Sequence, residues 1–140
     1  MVIFSVVLLD QGTKFLAEKF LQNDIHVTLI PNFLELVLRK NTGIAFSLFD
    51  DYPQILTVLI SIVIAYLIYS NVRQGKINPG LACILGGGIG NLIDRLTRGY
   101  VVDFINPLFI DFAVFNIADV ALNVGVALII IEQILALRKQ

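Results

Sequence analysis

The clearest indication of the fold comes from residues Pro79 to Leu96, which read PGLACILGGGIGNLIDRL. Its length and composition predict a membrane-spanning helix, which needs about 20 largely apolar residues. Asn78 precedes the stretch as a candidate N-cap, and a proline suits the first helical turn. The glycines between Gly86 and Gly90 predict close helix–helix packing, because small residues let two backbones approach each other in lipid.

The rest of the chain has the same apolar character. Of its 140 residues, 57% are hydrophobic and 15% are charged, whereas about a quarter of the residues of a soluble domain are charged. We therefore predict a mostly α-helical, polytopic membrane protein that forms one integral membrane domain over residues 1–140. Its four predicted transmembrane helices span about residues 2–21, 53–70, 79–96 and 115–137.

Charged residues indicate how these helices are arranged. The first predicted span carries Asp10, Lys14 and Glu18 at successive i,i+4 spacing, so the three charges can pair along one helix face. Basic residues occur in the loop between the second and third spans and at the end of the chain: Arg73, Lys76, Arg138 and Lys139. Because basic loops stay on the cytoplasmic side, we predict that both termini are cytoplasmic.

Between the first two spans lies a more polar segment, residues 26–49. Its portion FLELVLRK, from Phe33 to Lys40, alternates apolar and polar residues with the period of a half-buried strand. The following NTG predicts a turn, and IAFSLF, from Ile44 to Phe49, predicts a returning strand. We therefore predict a small extracytoplasmic β-sheet between helices 1 and 2, lying on the outer membrane surface.

Polar residues from three chain segments converge near the outer ends of the predicted spans. They are Asn91, Asp94, Arg95, Asp103, Asn116 and Asp119. Asp103 and Asp119 suggest chemistry, since two carboxyl groups in one poorly solvated site share a proton. The ionised carboxylate can take a proton from water while the other protonates the substrate. Such a reaction requires neither a metal nor a cofactor.

Each of these residues also has a structural interpretation. Asp119 could cap the fourth helix and interact with its positive N-terminal dipole. Asp103 could be an ordinary loop carboxylate, and Asn41 could be a turn residue of NTG. Asp10 and Lys14 are expected to form a structural ion pair rather than a catalytic one.

Composition excludes several functions and leaves others open. The net charge of −1 argues against a nucleic-acid partner, which requires a basic surface. One cysteine and one histidine exclude an intrachain disulfide and argue against a Cys/His zinc site. An ion-coupled carrier, with Asp103 and Asp119 as ion ligands, is the main alternative to an enzyme, although no inverted repeat is evident. A non-catalytic membrane scaffold would leave the polar cluster unexplained.

Five motifs in order make the chain resemble a known family. They are LLDQGTK at Leu8–Lys14, RKNTGIAFS at Arg39–Ser47, GGGIGNLIDR at Gly86–Arg95, VVDF at Val101–Phe104 and FNIAD at Phe115–Asp119. With these motifs the chain resembles the lipoprotein signal peptidases, the type II signal peptidases of bacteria, over nearly its whole length.

The resemblance implies an aspartic endopeptidase of the bacterial cytoplasmic membrane, with Asp103 and Asp119 as its catalytic dyad. It implies that the substrate groove is lined by Asn41, Asn91, Arg95 and Asn116, and that Asp10 and Lys14 support the first helix. The implied substrate is a prolipoprotein whose cysteine already carries diacylglycerol, cut just before that cysteine near the extracytoplasmic face. Membrane lipids are the other expected partners, the external sheet would be the family's periplasmic cradle, and a monomer without cofactor is expected.

Overall fold

The computed structural model describes residues 1–43, 53–74 and 78–138, and this part of the chain is mostly helical with one small sheet. Its helices are α1 (Val2–Phe20), α2 (Pro53–Gln74), α3 (Pro79–Arg98) and α4 (Ile117–Leu137). Its strands are β1 (Val27–Ile30), β2 (Leu34–Asn41) and β3 (Val101–Pro107). The predicted mostly α-helical fold with a small sheet is therefore confirmed.

Helix α3 is the central helix, and it packs against α1, α2 and α4. It begins as predicted at Asn78, whose side-chain oxygen accepts the Leu81 backbone N–H at 2.8 Å. It ends at Gly99, whose φ of 80° places it in the left-handed region that glycine adopts without strain. This sharp stop turns the chain directly into β3.

Glycines allow the helices around α3 to approach closely. A β carbon at Gly86 would lie 2.8 Å from the Val6 side chain of α1. At Gly80 it would lie 2.9 Å from the Gly125 carbonyl oxygen of α4. Real β carbons do not come this close, so only glycine permits the observed packing. The predicted packing role of the glycine-rich stretch is confirmed.

The sheet is antiparallel with the order β1-β2-β3. The strand predicted at Phe33–Lys40 is confirmed as β2, whereas β1 and β3 were not predicted, and β3 comes from the connection between α3 and α4. β2 pairs with β3 in a register that sets Arg39 opposite Asp103 and Asn41 opposite Val101. The predicted strand at residues 44–49 lies outside the described residues.

A small apolar core fixes the sheet to the helices. Ala17 and Leu21 at the end of α1 pack with Val102 and Phe104 of β3, and all four side chains are buried. The segment before α4 is held to the same strand, because the Phe115 carbonyl oxygen accepts the Ile105 N–H at 2.9 Å. β3 therefore has a defined position between α1 and the start of α4.

Many large apolar side chains of the helices are exposed. In the part of the chain that the structure describes, one helix is long and apolar enough to cross a membrane: α4, with a mean hydropathy of 2.2. Only 11% of its apolar window is buried within the protein. A shorter apolar stretch runs over Thr57–Asn71 of α2. The count of four membrane spans stays a prediction.

Candidate active site

Two aspartates from different elements line one cleft. Asp103 lies in β3, and Asp119 lies in the first turn of α4. The cleft has a volume of about 480 Å³, and both residues are among its lining residues. Asp103 is only 2% exposed, so its carboxyl group is largely removed from bulk water. The tertiary structure thus brings together the two carboxylates that the sequence predicted as a pair.

The N-terminus of α4 positions Asp119. Asn116 is the N-cap, and its side-chain oxygen accepts the Asp119 backbone N–H at 2.9 Å. In return, Asp119 Oδ2 accepts the Asn116 backbone N–H at 3.2 Å, which completes a capping box. The capping role considered for Asp119 is therefore present. It leaves Oδ1 to accept a hydrogen bond from Asn91 Nδ2 at 2.8 Å.

Asn116 also connects the two aspartates. Its side-chain Nδ2 donates to Asp103 Oδ1 at 2.6 Å, while its backbone N–H donates to Asp119. The same Nδ2 lies 3.1 Å from Asn91 Oδ1. Asn116 is fully buried and is not among the residues that line the cleft. It therefore stands behind the two carboxylates rather than on the cleft surface.

Asn41 holds Asp103 from the other side. Its Nδ2 donates to Asp103 Oδ2 at 2.9 Å, and its Oδ1 accepts the Gly43 backbone N–H at 3.0 Å. The turn role considered for Asn41 is therefore present, and the same side chain also contacts Asp103, which was not predicted from sequence. Arg95 lies nearby, and its Nη2 donates to the Gly43 carbonyl oxygen at 3.0 Å. Asn41, Asn91 and Arg95 all line the cleft.

The environment of Asp103 changes its acidity. Burial raises the pKa of its carboxyl group from an ordinary value of 3.8 to about 6, because the charged form loses hydration. Hydrogen bonds from Asn41 and Asn116 act in the opposite direction, and the negative charge of Asp119 raises the pKa further. Near neutral pH this carboxyl group can therefore exchange a proton.

A fully buried ion cluster lies next to the cleft. Lys14 Nζ lies 2.9 Å from Asp10 Oδ2 and 2.9 Å from Asp94 Oδ2. Asp94 also pairs with Arg98 at 2.7 Å. The predicted Asp10–Lys14 pair is present, but the predicted continuation of the pairing from Lys14 to Glu18 was wrong. Glu18 pairs with Arg98 of α3 at 3.1 Å, since Lys14 turns towards α3.

Several polar residues of this region were not assigned a role from sequence. Asp94 accepts the Val102 backbone N–H at 3.0 Å, and so joins α3 to β3. Gln11 Nε2 donates to Asp94 Oδ1 at 2.9 Å. The i,i+4 spacing of Asp94 and Arg98 was a usable signal for their pairing. No local pattern indicated that Asp94 would also meet Lys14, eighty residues earlier in the chain.

Within residues 1–43, 53–74 and 78–138, no group of three or more His, Cys, Asp or Glu side chains is placed to hold a metal ion. The cleft instead combines carboxyl, amide and guanidinium groups with an apolar wall. That wall includes Val101, Phe112, Val114, Val120 and Val124.

A mostly helical chain with exposed apolar helices and two carboxyl groups in one cleft belongs to the class of small membrane enzymes. Comparison with solved structures supports this class. Two bacterial membrane enzymes, each 31% identical in sequence, superpose with TM-scores of 0.86 and 0.83. They cover 95% and 94% of this chain, which in turn covers 85% and 89% of theirs.

Sequence comparison identifies the family. The family described as signal peptidase (SPase) II matches residues 2–135. A lipoprotein signal peptidase of Enterococcus faecalis is 40% identical over 91% of this chain and 81% of its own length. The lipoprotein signal peptidase of Mesorhizobium japonicum is 36% identical over 100% of this chain and 87% of its own length. That of Brucella ovis is 39% identical over 99% of this chain and 91% of its own length. The chain therefore belongs to the lipoprotein signal peptidase family, as the motifs indicated, and is a membrane protease.

Proposed function

We propose that this chain is an aspartic endopeptidase that cleaves diacylglyceryl-modified prolipoproteins just before the lipidated cysteine. Membership of the lipoprotein signal peptidase family supports the substrate class. The observation that carries the aspartic mechanism is the pairing of Asp103 and Asp119 in one cleft, with Asn116 bonded to both.

The two carboxyl groups share one proton in this mechanism. The ionised carboxylate takes a proton from a water molecule, which attacks the carbonyl carbon of the scissile peptide bond. The protonated carboxyl group donates its proton to the carbonyl oxygen, which gives a tetrahedral gem-diol. The carboxyl group that took the proton from water then protonates the amide nitrogen, the C–N bond breaks, and the other carboxylate takes a hydroxyl proton from the gem-diol, so that the pair again shares one proton. Burial of Asp103 supports this scheme, because its raised pKa of about 6 keeps a proton available near neutral pH.

The cleft offers polar and apolar surfaces to a peptide. We propose that Asn41, Asn91 and Arg95 contact the substrate backbone, which must leave its helical conformation to be cut. Asn116, being fully buried, would instead position the two aspartates from behind. The apolar wall would receive side chains of the signal peptide, and the acyl chains would stay in the bilayer.

The membrane arrangement is part of the proposal. All four helices would span the bacterial cytoplasmic membrane, with both termini cytoplasmic and the cleft near the extracytoplasmic face. The sheet would lie over the outer surface and the exposed apolar side chains would contact lipid. Asp10 and Lys14 would support α1 within the bundle. The working unit would be a monomer.

A cleavage assay tests the mechanism. Purified protein in detergent is mixed with a diacylglyceryl-modified prolipoprotein, and the product is followed by its gel shift. Asp103→Asn and Asp119→Asn are each expected to lower the rate by about 100- to 10,000-fold, since each removes one acid–base group. A chelator should leave the wild-type rate unchanged.

Asp111→Asn is the matched control, because Asp111 is an exposed aspartate in the same connection between β3 and α4. It should cleave at the wild-type rate. The thermal midpoint of each variant establishes that it is folded. Substantial cleavage by either folded dyad variant would refute the aspartic mechanism. If the folded wild type cleaved nothing, the ion-carrier alternative would return, and ion-binding measurements would follow.

A further inference from the structure

Lys14 is a fully buried cation for which the proposed mechanism has no chemical step. Its side chain is 0% exposed, and its ammonium group makes three contacts. Two are the ion pairs with Asp10 and Asp94, each at 2.9 Å. The third is a hydrogen bond to Asn91 Oδ1 at 2.8 Å. An ammonium group has three donors, so all of them are used.

The third contact points towards the cleft. Because an ammonium group donates and never accepts, Lys14 requires the oxygen end of the Asn91 amide to face it. The nitrogen end then faces Asp119 and donates to its Oδ1 at 2.8 Å. Lys14 is therefore one residue away from Asp119 along a continuous chain of hydrogen bonds.

The side-chain oxygen of Asn91 also orients Asn116, which in turn contacts Asp103. Asn116 Nδ2 lies 3.1 Å from Asn91 Oδ1 and 2.6 Å from Asp103 Oδ1. Asn91 Oδ1 thus accepts from both Lys14 and Asn116. If the Asn91 amide were reversed, its oxygen would face Asp119 and its nitrogen would face two donors. Both new contacts would be repulsive, so the arrangement depends on the cation.

We propose that Lys14 is a positioning residue of the catalytic site, which sets the direction of the Asn91 and Asn116 amides and thereby holds Asp119 and Asp103 in place. This inference rests on the proposed function of the two aspartates. Charged groups on the neighbouring elements are Asp10 on α1, and Asp94, Arg95 and Arg98 on α3. Of these four, only the two carboxylates contact Lys14.

The test must separate positioning from folding. Removal of Lys14 alone would leave two buried carboxylates without their shared cation. We therefore pair Lys14→Met with Asp10→Asn, which removes one positive and one negative charge together. The asparagine keeps an oxygen for the Ala118 backbone N–H, which Asp10 Oδ1 now accepts at 2.9 Å.

The matched control is the pair Glu18→Gln and Arg98→Met, at the other end of the same ion cluster. It makes the same change in charge, and neither residue contacts Asn91. Steady-state cleavage of a diacylglyceryl-modified lipopeptide in detergent then gives kcat and KM for each variant. Thermal midpoints establish the folded state.

We expect the Asp10→Asn, Lys14→Met protein to lose about 10- to 100-fold in kcat with little change in KM, the scale expected for a misplaced catalytic group. The control pair should keep the wild-type kcat. An unchanged kcat in the folded Lys14 pair would overturn the proposal, and so would an equal loss in both pairs. If the Lys14 pair does not fold, Lys14→Arg replaces it, because its planar fork keeps the charge but directs its donors differently. A lower kcat at unchanged KM then supports the proposal, and wild-type kinetics overturn it.

The Asp103→Asn variant keeps the two proposals apart. If that folded variant cleaves normally, the aspartic mechanism itself fails, whatever the Lys14 variants do. If it is inactive while the Lys14 pair has the wild-type kcat, the aspartic mechanism stands and only the positioning role fails.

Discussion

Two pairs of aspartates lie close together in this molecule, and their surroundings are opposite. Asp10 and Asp94 are both paired with the buried Lys14, and Asp94 is also paired with Arg98. Asp103 and Asp119 accept hydrogen bonds from amide groups. Within residues 1–43, 53–74 and 78–138, no lysine or arginine nitrogen lies within 4.0 Å of either of them.

The difference shows how one residue type serves two purposes. A buried carboxylate that is paired with a cation is held in its charged form and joins chain segments. A buried carboxyl group that is held only by amides keeps its position without a compensating charge. Its proton is then free to move, as the raised pKa of Asp103 indicates. The first pair joins α1 to α3 through Lys14, and the second is suited to proton transfer.

The test with the largest expected effect removes Lys14, the cation that Asp10 and Asp94 share. Lys14→Met should destabilise the protein by about 3–5 kcal/mol, because it leaves the buried Asp10 without a cation and leaves Asp94 with Arg98 alone. The thermal midpoint in detergent should fall steeply, or folded protein should not be recovered. Lys19→Met is the control, since Lys19 is exposed on the same helix and should change stability by less than about 0.5 kcal/mol. Equal midpoints for both variants would mean that the ion cluster is not structural.

The second test uses pH to examine the surroundings of Asp103. The pKa of Asp103 rises from 3.8 to about 6 on folding, which corresponds to about 3 kcal/mol at 1.36 kcal/mol per pKa unit. A carboxyl group with a raised pKa favours the folded state below pH 4 and loses that contribution as the pH rises through 6. The midpoint of the wild type should therefore fall relative to that of Asp103→Asn between pH 4 and 7. A constant difference over this range would contradict the assigned environment.

The smallest test changes packing around the ion cluster. A β carbon at Gly90 would lie 2.5 Å from Asp10 Oδ2, which is held by Lys14. Gly90→Ala should therefore cost about 1–3 kcal/mol through overpacking. Gly12→Ala is the matched control within a helix, because nothing lies within 4 Å of its β carbon. It should raise stability slightly, by about 0.5–1 kcal/mol. If both substitutions stabilise the protein, helix propensity, and not contact with Asp10, decides the outcome.

The sequence predicted much of the fold because several signals are local. Asn78 and Pro79 mark the start of α3 by their chemistry alone, and the structure has that cap. The alternation in Phe33–Lys40 predicted a strand where β2 lies. The glycine-rich stretch predicted close helix packing, which the structure shows. Each of these signals can be recognised from residues that are close together in the sequence.

The candidate site was predicted only in part. The motifs selected Asp103 and Asp119, and the structure places both in one cleft. The third strand was missed, because VVDFINP pairs with β2 from a distant part of the chain. Asn116 was expected to line the groove, but its amide is used by the cap of α4 and by Asp103. Pairings of this kind leave no local pattern.

The apolar helices, strand β2 and the cap of α3 could be predicted from the amino-acid sequence alone. All of these follow from side-chain type and from spacing along the chain. The folded structure alone shows which carboxylates pair with a cation and which accept hydrogen bonds from amide groups. That choice depends on where Lys14 points, and Lys14 meets Asp94 and Asn91 only after α1 and α3 have packed together. Charge compensation in a buried site depends on contacts between distant parts of the chain, so the second ion pair of Lys14 and the amide contacts of Asp103 and Asp119 appear only in the folded chain.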